Sequence, residues 1–99
     1  GGYVKRKQLV EVWGDEELLF LDPAKDFDCA IAGVAERIEM EPVVAYDKEL
    51  ILKQLCKDMT YKEAVEYFEF NILGSYMGEK TPIFLTLFDV KSVDPIEPL

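Results

Sequence analysis

The chain contains no histidine. That removes the side chain most often used as a general base and a common metal ligand. It also leaves Ser75 and Ser92 without the usual partner that activates a hydroxyl. Cysteine is scarce: Cys29 and Cys56 are the only two, and they form no C-x-x-C pair. Neither a zinc site nor a disulfide framework is expected from them, and each is expected as a small hydrophobe on an apolar helix stripe. The segment Gly74 to Gly78, GSYMG, lacks both the lysine and the strand-to-helix setting of a phosphate loop. Basic charge is also short, with 11 lysines and arginines against 20 carboxylates and a net charge of −9. Direct binding to nucleic acid, which requires cations to neutralise phosphates, is therefore not expected. No apolar run approaches the ~18 residues of a membrane span, and no signal-type segment is seen, so the expectation is a soluble cytoplasmic protein without membrane contact. Nothing in the residues requires a cofactor.

What the chain does have is core material. Its 99 residues are 49% hydrophobic and 12% aromatic, enough for one domain over 1–99 without staples. Residues 1–7, with the basic run Lys5-Arg6-Lys7, are expected as a loose entry. Residues 89–99, with Pro95 and Pro98, are expected as an extended tail. The run QLVEVW, 8–13, is rich in β-branched and aromatic residues and predicts a strand. Gly14-Asp15-Glu16 predicts a turn and ELLFL, 17–21, a returning strand. Asp26 is a candidate N-cap for a helix over 27–38, whose apolar positions Phe27, Ala30, Ile31, Val34, Ala35 and Ile38 have helical spacing. A short strand follows over 43–46, then a helix capped by Asp47 and running to about Asp58, and finally a strand over 82–88, PIFLTLF. The predicted class is α+β, in the order β-β-α-β-α-α-β. A mixed four-stranded sheet is packed by three helices, with a parallel crossover between the 17–21 and 43–46 strands.

The longest predicted element is the helix over 60–77. Thr60 and Glu63 have capping-box spacing. Tyr61, Ala64, Val65, Phe68 and Ile72 form its core stripe. Gly78 is the expected stop. In its second half, Phe70, Leu73 and Met77 put apolar bulk on the opposite side as well. A helix apolar on two sides needs two covers. The second is either the rest of this chain (the N-terminal hairpin, or Ile96 and Leu99 in the tail) or a partner, with a second copy the foremost candidate.

Polar candidates lie nearby. Glu69, Asn71 and Tyr76 interrupt the apolar half of the helix, and Glu79 and Thr81 occupy the following loop. A helix-interior asparagine has poor propensity, so Asn71 is expected to have a specific partner, a hydrogen bond to the 79–81 loop being the first choice. Glu63, Glu66 and Glu69 recur every three residues, as do Glu36 and Glu39. Such ladders are more often solvated faces than cation sites. Asp22, Tyr46 and Asp47 sit at predicted strand ends, where α/β sites tend to form.

Three strings carry a resemblance: VVAYD (43–47), MTYKEAVEYFEFN (59–71) and GSYMGEKTPIF (74–84). From about 22 to 88 the chain resembles a family of small phage and bacterial proteins. The resemblance implies a small cytoplasmic protein of that type and no particular activity, and it singles out 69–82 as the segment of interest.

The function expected from these readings is a non-enzymatic interaction protein. It self-associates as a homodimer or binds another protein through Phe70, Leu73 and Met77, and it modulates or inhibits its partner. Glu69, Asn71, Tyr76, Glu79 and Thr81 are the accompanying polar residues. The alternative is a small-molecule or metal-dependent enzyme using Asp22, Asp47, Glu69 and Asn71, which would need those four to converge on one pocket.

Overall fold

The computed structural model describes residues 5–14, 18–75 and 78–87. Within them the order is α1 (Arg6–Trp13), α2 (Ala24–Phe27), a 3-10 turn (Asp28–Ala30), β1 (Ile31–Ala35), β2 (Val43–Asp47), α3 (Lys48–Leu55), α4 (Tyr61–Tyr67) with a π-helical continuation (Phe68–Leu73), and β3 (Ile83–Leu85). The class is α+β. The three strands form one mixed sheet, β1-β2-β3. β1 runs antiparallel to β2, pairing Ile31 with Tyr46 and Ala35 with Val43. β2 runs parallel to β3, pairing Ala45 with Ile83 and Asp47 with Leu85.

The second half of the chain follows its local signals. Asp47 caps α3, its Oδ1 accepting from the Glu49 N–H at 2.9 Å. At Thr60 both halves of the capping box form: the Thr60 N–H donates to Glu63 Oε1 at 2.9 Å, and the Glu63 N–H donates to the threonine hydroxyl at 3.2 Å. Hydrogen bonding from the Thr60 backbone N–H, and then from its side chain, lowers the Glu63 carboxyl from its ordinary value. Thr60→Ala is expected to cost about 1 kcal/mol of folding stability in urea titration, and to let the Glu63 carboxyl titrate closer to its ordinary value by NMR. Parallel strands need a long crossover, and α3 and α4 together make the one from β2 to β3.

The first half departs from the sequence reading. Residues 8–13 are helical, not a strand. Leu9 and Trp13 are four apart, and Leu9 is buried with Trp13 packed against the core, so one turn of helix satisfies the same apolar residues that suggested alternation. The helix is tied down at a distance. The Arg6 guanidinium donates to Asp28 Oδ1 at 2.8 Å and to the Leu21 carbonyl at 3.3 Å, and it lies 4.4 Å from the centre of the Phe20 ring. Residues 18–21 pair with no strand, so the sheet has three strands rather than four among the described residues. The parallel crossover joins β2 to β3, not 17–21 to 43–46.

The helix expected over 27–38 is a single α-turn capped by Pro23 rather than Asp26, then the 3-10 turn, then β1. Gly33 marks the change. It sits at a break in the β1–β2 register with a φ of 156°, a setting glycine tolerates and β-branched residues resist. Ile38, expected in the core, is 87% exposed, and Cys29 is exposed rather than on a buried stripe.

The core gathers Ala30, Ile31, Val44, Tyr46, Ile51, Leu52 and Phe68 between the sheet and the helices. Tyr46 ties in the 18–23 segment: the Leu21 N–H donates to its hydroxyl at 2.8 Å. Phe84 on β3 stacks on Tyr46 with ring centres 6.1 Å apart and makes a T-shaped pair with Phe68 at 5.0 Å.

Candidate functional site

On α4 and its continuation, Ala64, Phe68 and Ile72 are buried as the core stripe requires. Tyr61, expected with them, is exposed. The regular α-helix ends at Tyr67, and from Phe68 to Leu73 the backbone is π-helical, a wider turn that is uncommon and found often at functional positions. The described helix ends before Gly74 instead of running to Gly78. A Cβ on residue 74 would lie 3.3 Å from the carbonyl oxygens of Glu69 and Phe70, so a glycine lets the chain turn back closely there.

The side opposite the core stripe is open. Phe70 is 79% exposed and Leu73 is 55% exposed. An exposed phenylalanine is ordinary when isolated, but here Tyr67 is exposed as well and Met59 lies close by. Together with Glu63, Glu66 and Asn71 these residues line a shallow concavity of about 370 Å³. Met77 and Tyr76 fall outside the described residues.

A second concavity, of about 500 Å³, lies between the 19–27 segment and α4. Leu19, Phe20 and Leu55 form apolar parts of its wall, and Asp22, Asp26 and Ser75 contribute polar groups. Tyr67 and Asn71 belong to both linings and are exposed, so this row of α4 stands between the two hollows. The Asn71 backbone carbonyl accepts the Ser75 hydroxyl at 2.9 Å. Asn71 borders both hollows, where the sequence suggested a structural bond toward 79–81.

Of the residues proposed for an enzyme, Asp22 and Asn71 share the 500 Å³ hollow. Asp47 is buried as the cap of α3 and Glu69 is exposed on the π-turn; neither is in the lining. Glu79 and Thr81 lie elsewhere, beside Glu36, Arg37 and Glu41 in a hollow of about 310 Å³ at the connection between β1 and β2. There Thr81 closes its own turn, its hydroxyl donating to the Gly78 carbonyl at 2.6 Å. Among the described residues no three acidic or cysteine side chains converge closely enough to hold a metal ion, and no helix is long and apolar enough to cross a membrane.

Sequence reading singled out Phe70, Leu73 and Asn71 but missed Tyr67 and the wall from Leu19 to Asp26. Tyr67 carried a signal, since it falls off the core stripe beside Phe70. The wall carried none, because its position depends on the contact between Leu21 and Tyr46. Comparison with known proteins finds no matching family model, no similar curated protein and no similar solved structure.

Proposed function

We propose that the protein is a non-enzymatic interaction protein whose contact surface is the outer side of α4 and its π-turn. The observation that supports this reading is the exposure of Tyr67, Phe70 and Leu73 on a helix whose Ala64, Phe68 and Ile72 are buried in the core, with Tyr67 and Phe70 lining one hollow. Contiguous apolar surface of that kind is costly in water and is characteristic of contact sites, and aromatic residues are enriched at interface centres. Polar neighbours Glu66, Glu69 and Asn71 supply a rim. Binding there modulates the partner by occupying one of its surfaces; the occupant is a second copy of this chain or a different protein.

The test is photo-crosslinking from a benzoylphenylalanine placed at position 70, with position 38 as the control. Ile38 is the more exposed side chain of the two but stands away from α4. Discrete adducts from position 70 that are absent from position 38, and that disappear when Leu73→Asp is added, are the expected result. Their mass reports whether the occupant is a second copy. Equal labelling from both positions, or none from position 70, overturns the reading.

A further inference from the structure

We infer that α1 is a detachable strap. It is helical only while docked, Arg6 is the residue that docks it, and it leaves the fold as a unit before the rest unfolds. The strap lies apart from the contact surface on α4 and does not depend on it.

Little in α1 itself favours a helix. It has 8 residues, and isolated helices shorter than about 12–15 residues are marginal in water. Its charges also oppose the helix dipole, which favours acids at the start and bases at the end. Lys5 is the N-cap and Arg6 and Lys7 open the first turn, while the last turn carries Glu11 and no base. Val10, Val12 and Trp13 have lower helix propensity than straight-chain residues. Against this stands one side-chain bond at the entry, from the Lys5 N–H to Gln8 Oε1 at 2.8 Å.

Docking supplies the rest. Leu9 is buried and Trp13 packs against the core, but Lys7, Gln8, Glu11 and Val12 are exposed. Among the described residues, every side-chain hydrogen bond from α1 to the remainder of the fold comes from Arg6. Two of its nitrogens donate to Asp28 Oδ1, at 3.2 and 2.8 Å, and one also donates to the Leu21 carbonyl at 3.3 Å. The guanidinium rests over the Phe20 ring as well. Arg6 and Asp28 keep 31% and 28% of their side-chain surface exposed. Water can therefore replace each partner when the helix lifts, and no buried charge is stranded. Elements held by so few contacts open below the free energy of global unfolding. α1 lies beside β1, which is at one end of the sheet order, so its release bares that flank of an edge strand.

Trp13 is the chain's one tryptophan, so its emission reports the docking of α1. Far-UV circular dichroism reports mainly α3 and α4 with its continuation. Both are followed in urea on the full chain. The expected result is a tryptophan transition at lower urea than the circular dichroism transition. Arg6→Ala should lower the docking constant about tenfold, moving the tryptophan midpoint down and leaving the circular dichroism midpoint in place. Val12→Gly, at a site 77% exposed, weakens only the helix itself and should move the tryptophan midpoint the same way. Lys7→Ala, exposed at the same end of α1, should not lower it. Coincident transitions that Arg6→Ala shifts together would show that α1 folds only with the whole domain, and would overturn the inference. A tryptophan midpoint that Arg6→Ala leaves unmoved would overturn it too.

Discussion

Phe68→Ala is expected to cost about 3–5 kcal/mol of folding stability, the usual range for removing a buried phenylalanine and leaving a cavity. Phe68 is 1% exposed. It meets Phe84 edge-on with ring centres 5.0 Å apart, and the Lys48 ammonium lies 5.3 Å from its own ring centre. One side chain thus joins the start of the π-turn to β3 and to the first residue of α3. Aromatic pairs in this geometry contribute about 0.5–1.5 kcal/mol beyond their buried area, so Phe68→Leu, which keeps an apolar side chain but not the ring or all of its volume, should recover only part of the loss. Urea unfolding monitored by circular dichroism checks both, with the transition midpoint falling and its slope unchanged. A Phe68→Ala chain as stable as the parent would contradict the placement of α4 on the sheet.

Alkaline pH supplies the second large effect. Burial pushes the Tyr46 hydroxyl up to about 12, from an ordinary value of 10.0, and the nearby carboxylates of Asp28 and Asp22 push in the same direction. The Leu21 N–H and Arg6 oppose this only in part. A phenol with a raised pKa in the folded protein binds its proton more tightly there than in the unfolded chain. Its contribution to stability is therefore complete below pH 10 and is lost as pH climbs toward 12. A two-unit shift corresponds to about 2–3 kcal/mol.

Tyr46→Phe should separate this from the titration of lysines in the same range. At neutral pH the variant is expected to be about 1–3 kcal/mol less stable, because the Leu21 N–H loses its buried acceptor. Across the alkaline window, however, its stability should fall less than that of the parent. Guanidinium titrations of both chains at several pH values give the comparison. Parallel curves would show that Tyr46 does not titrate against folding.

These two residues also explain what could be read from sequence. The caps at Asp47 and at Thr60 with Glu63 are local chemistry, decided within three residues, and α3 and α4 begin where those signals place them. β3 lies within the 82–88 stretch read as a strand, and β2 covers the 43–46 stretch and one residue more, Asp47. The N-terminal third is different. Leu9 and Trp13 fit a helix as well as they fit an alternating strand, and the choice depends on Arg6 reaching Leu21 and Asp28, 15 and 22 positions away. The apolar spacing from Phe27 to Ile38 likewise imitates a helix, yet Ile31 to Ala35 pairs with β2 and leaves Ile38 in solvent.

The same division holds for the site. Phe70 and Leu73 could be placed by rotation about a helix, opposite Ala64, Phe68 and Ile72. The 19–27 wall could not, because the Leu21–Tyr46 hydrogen bond spans 25 positions. That bond brings Asp22 and Asp26 to face α4 while Asp47 stays behind as a cap. Two of the four residues considered for catalysis, Asp22 and Asn71, thus line the same hollow.

Phe70 and Leu73 are exposed on α4's π-helical continuation, and the unfolding free energy of the Phe70→Asp/Leu73→Asp chain reports whether folding depends on them. Side chains already in water should be replaceable at little cost, and the expected value lies within about 0.5 kcal/mol of the parent. A loss of more than about 2 kcal/mol, of the size seen when buried leucine or phenylalanine is removed, would mean that this face is packed within its own fold and would contradict the account.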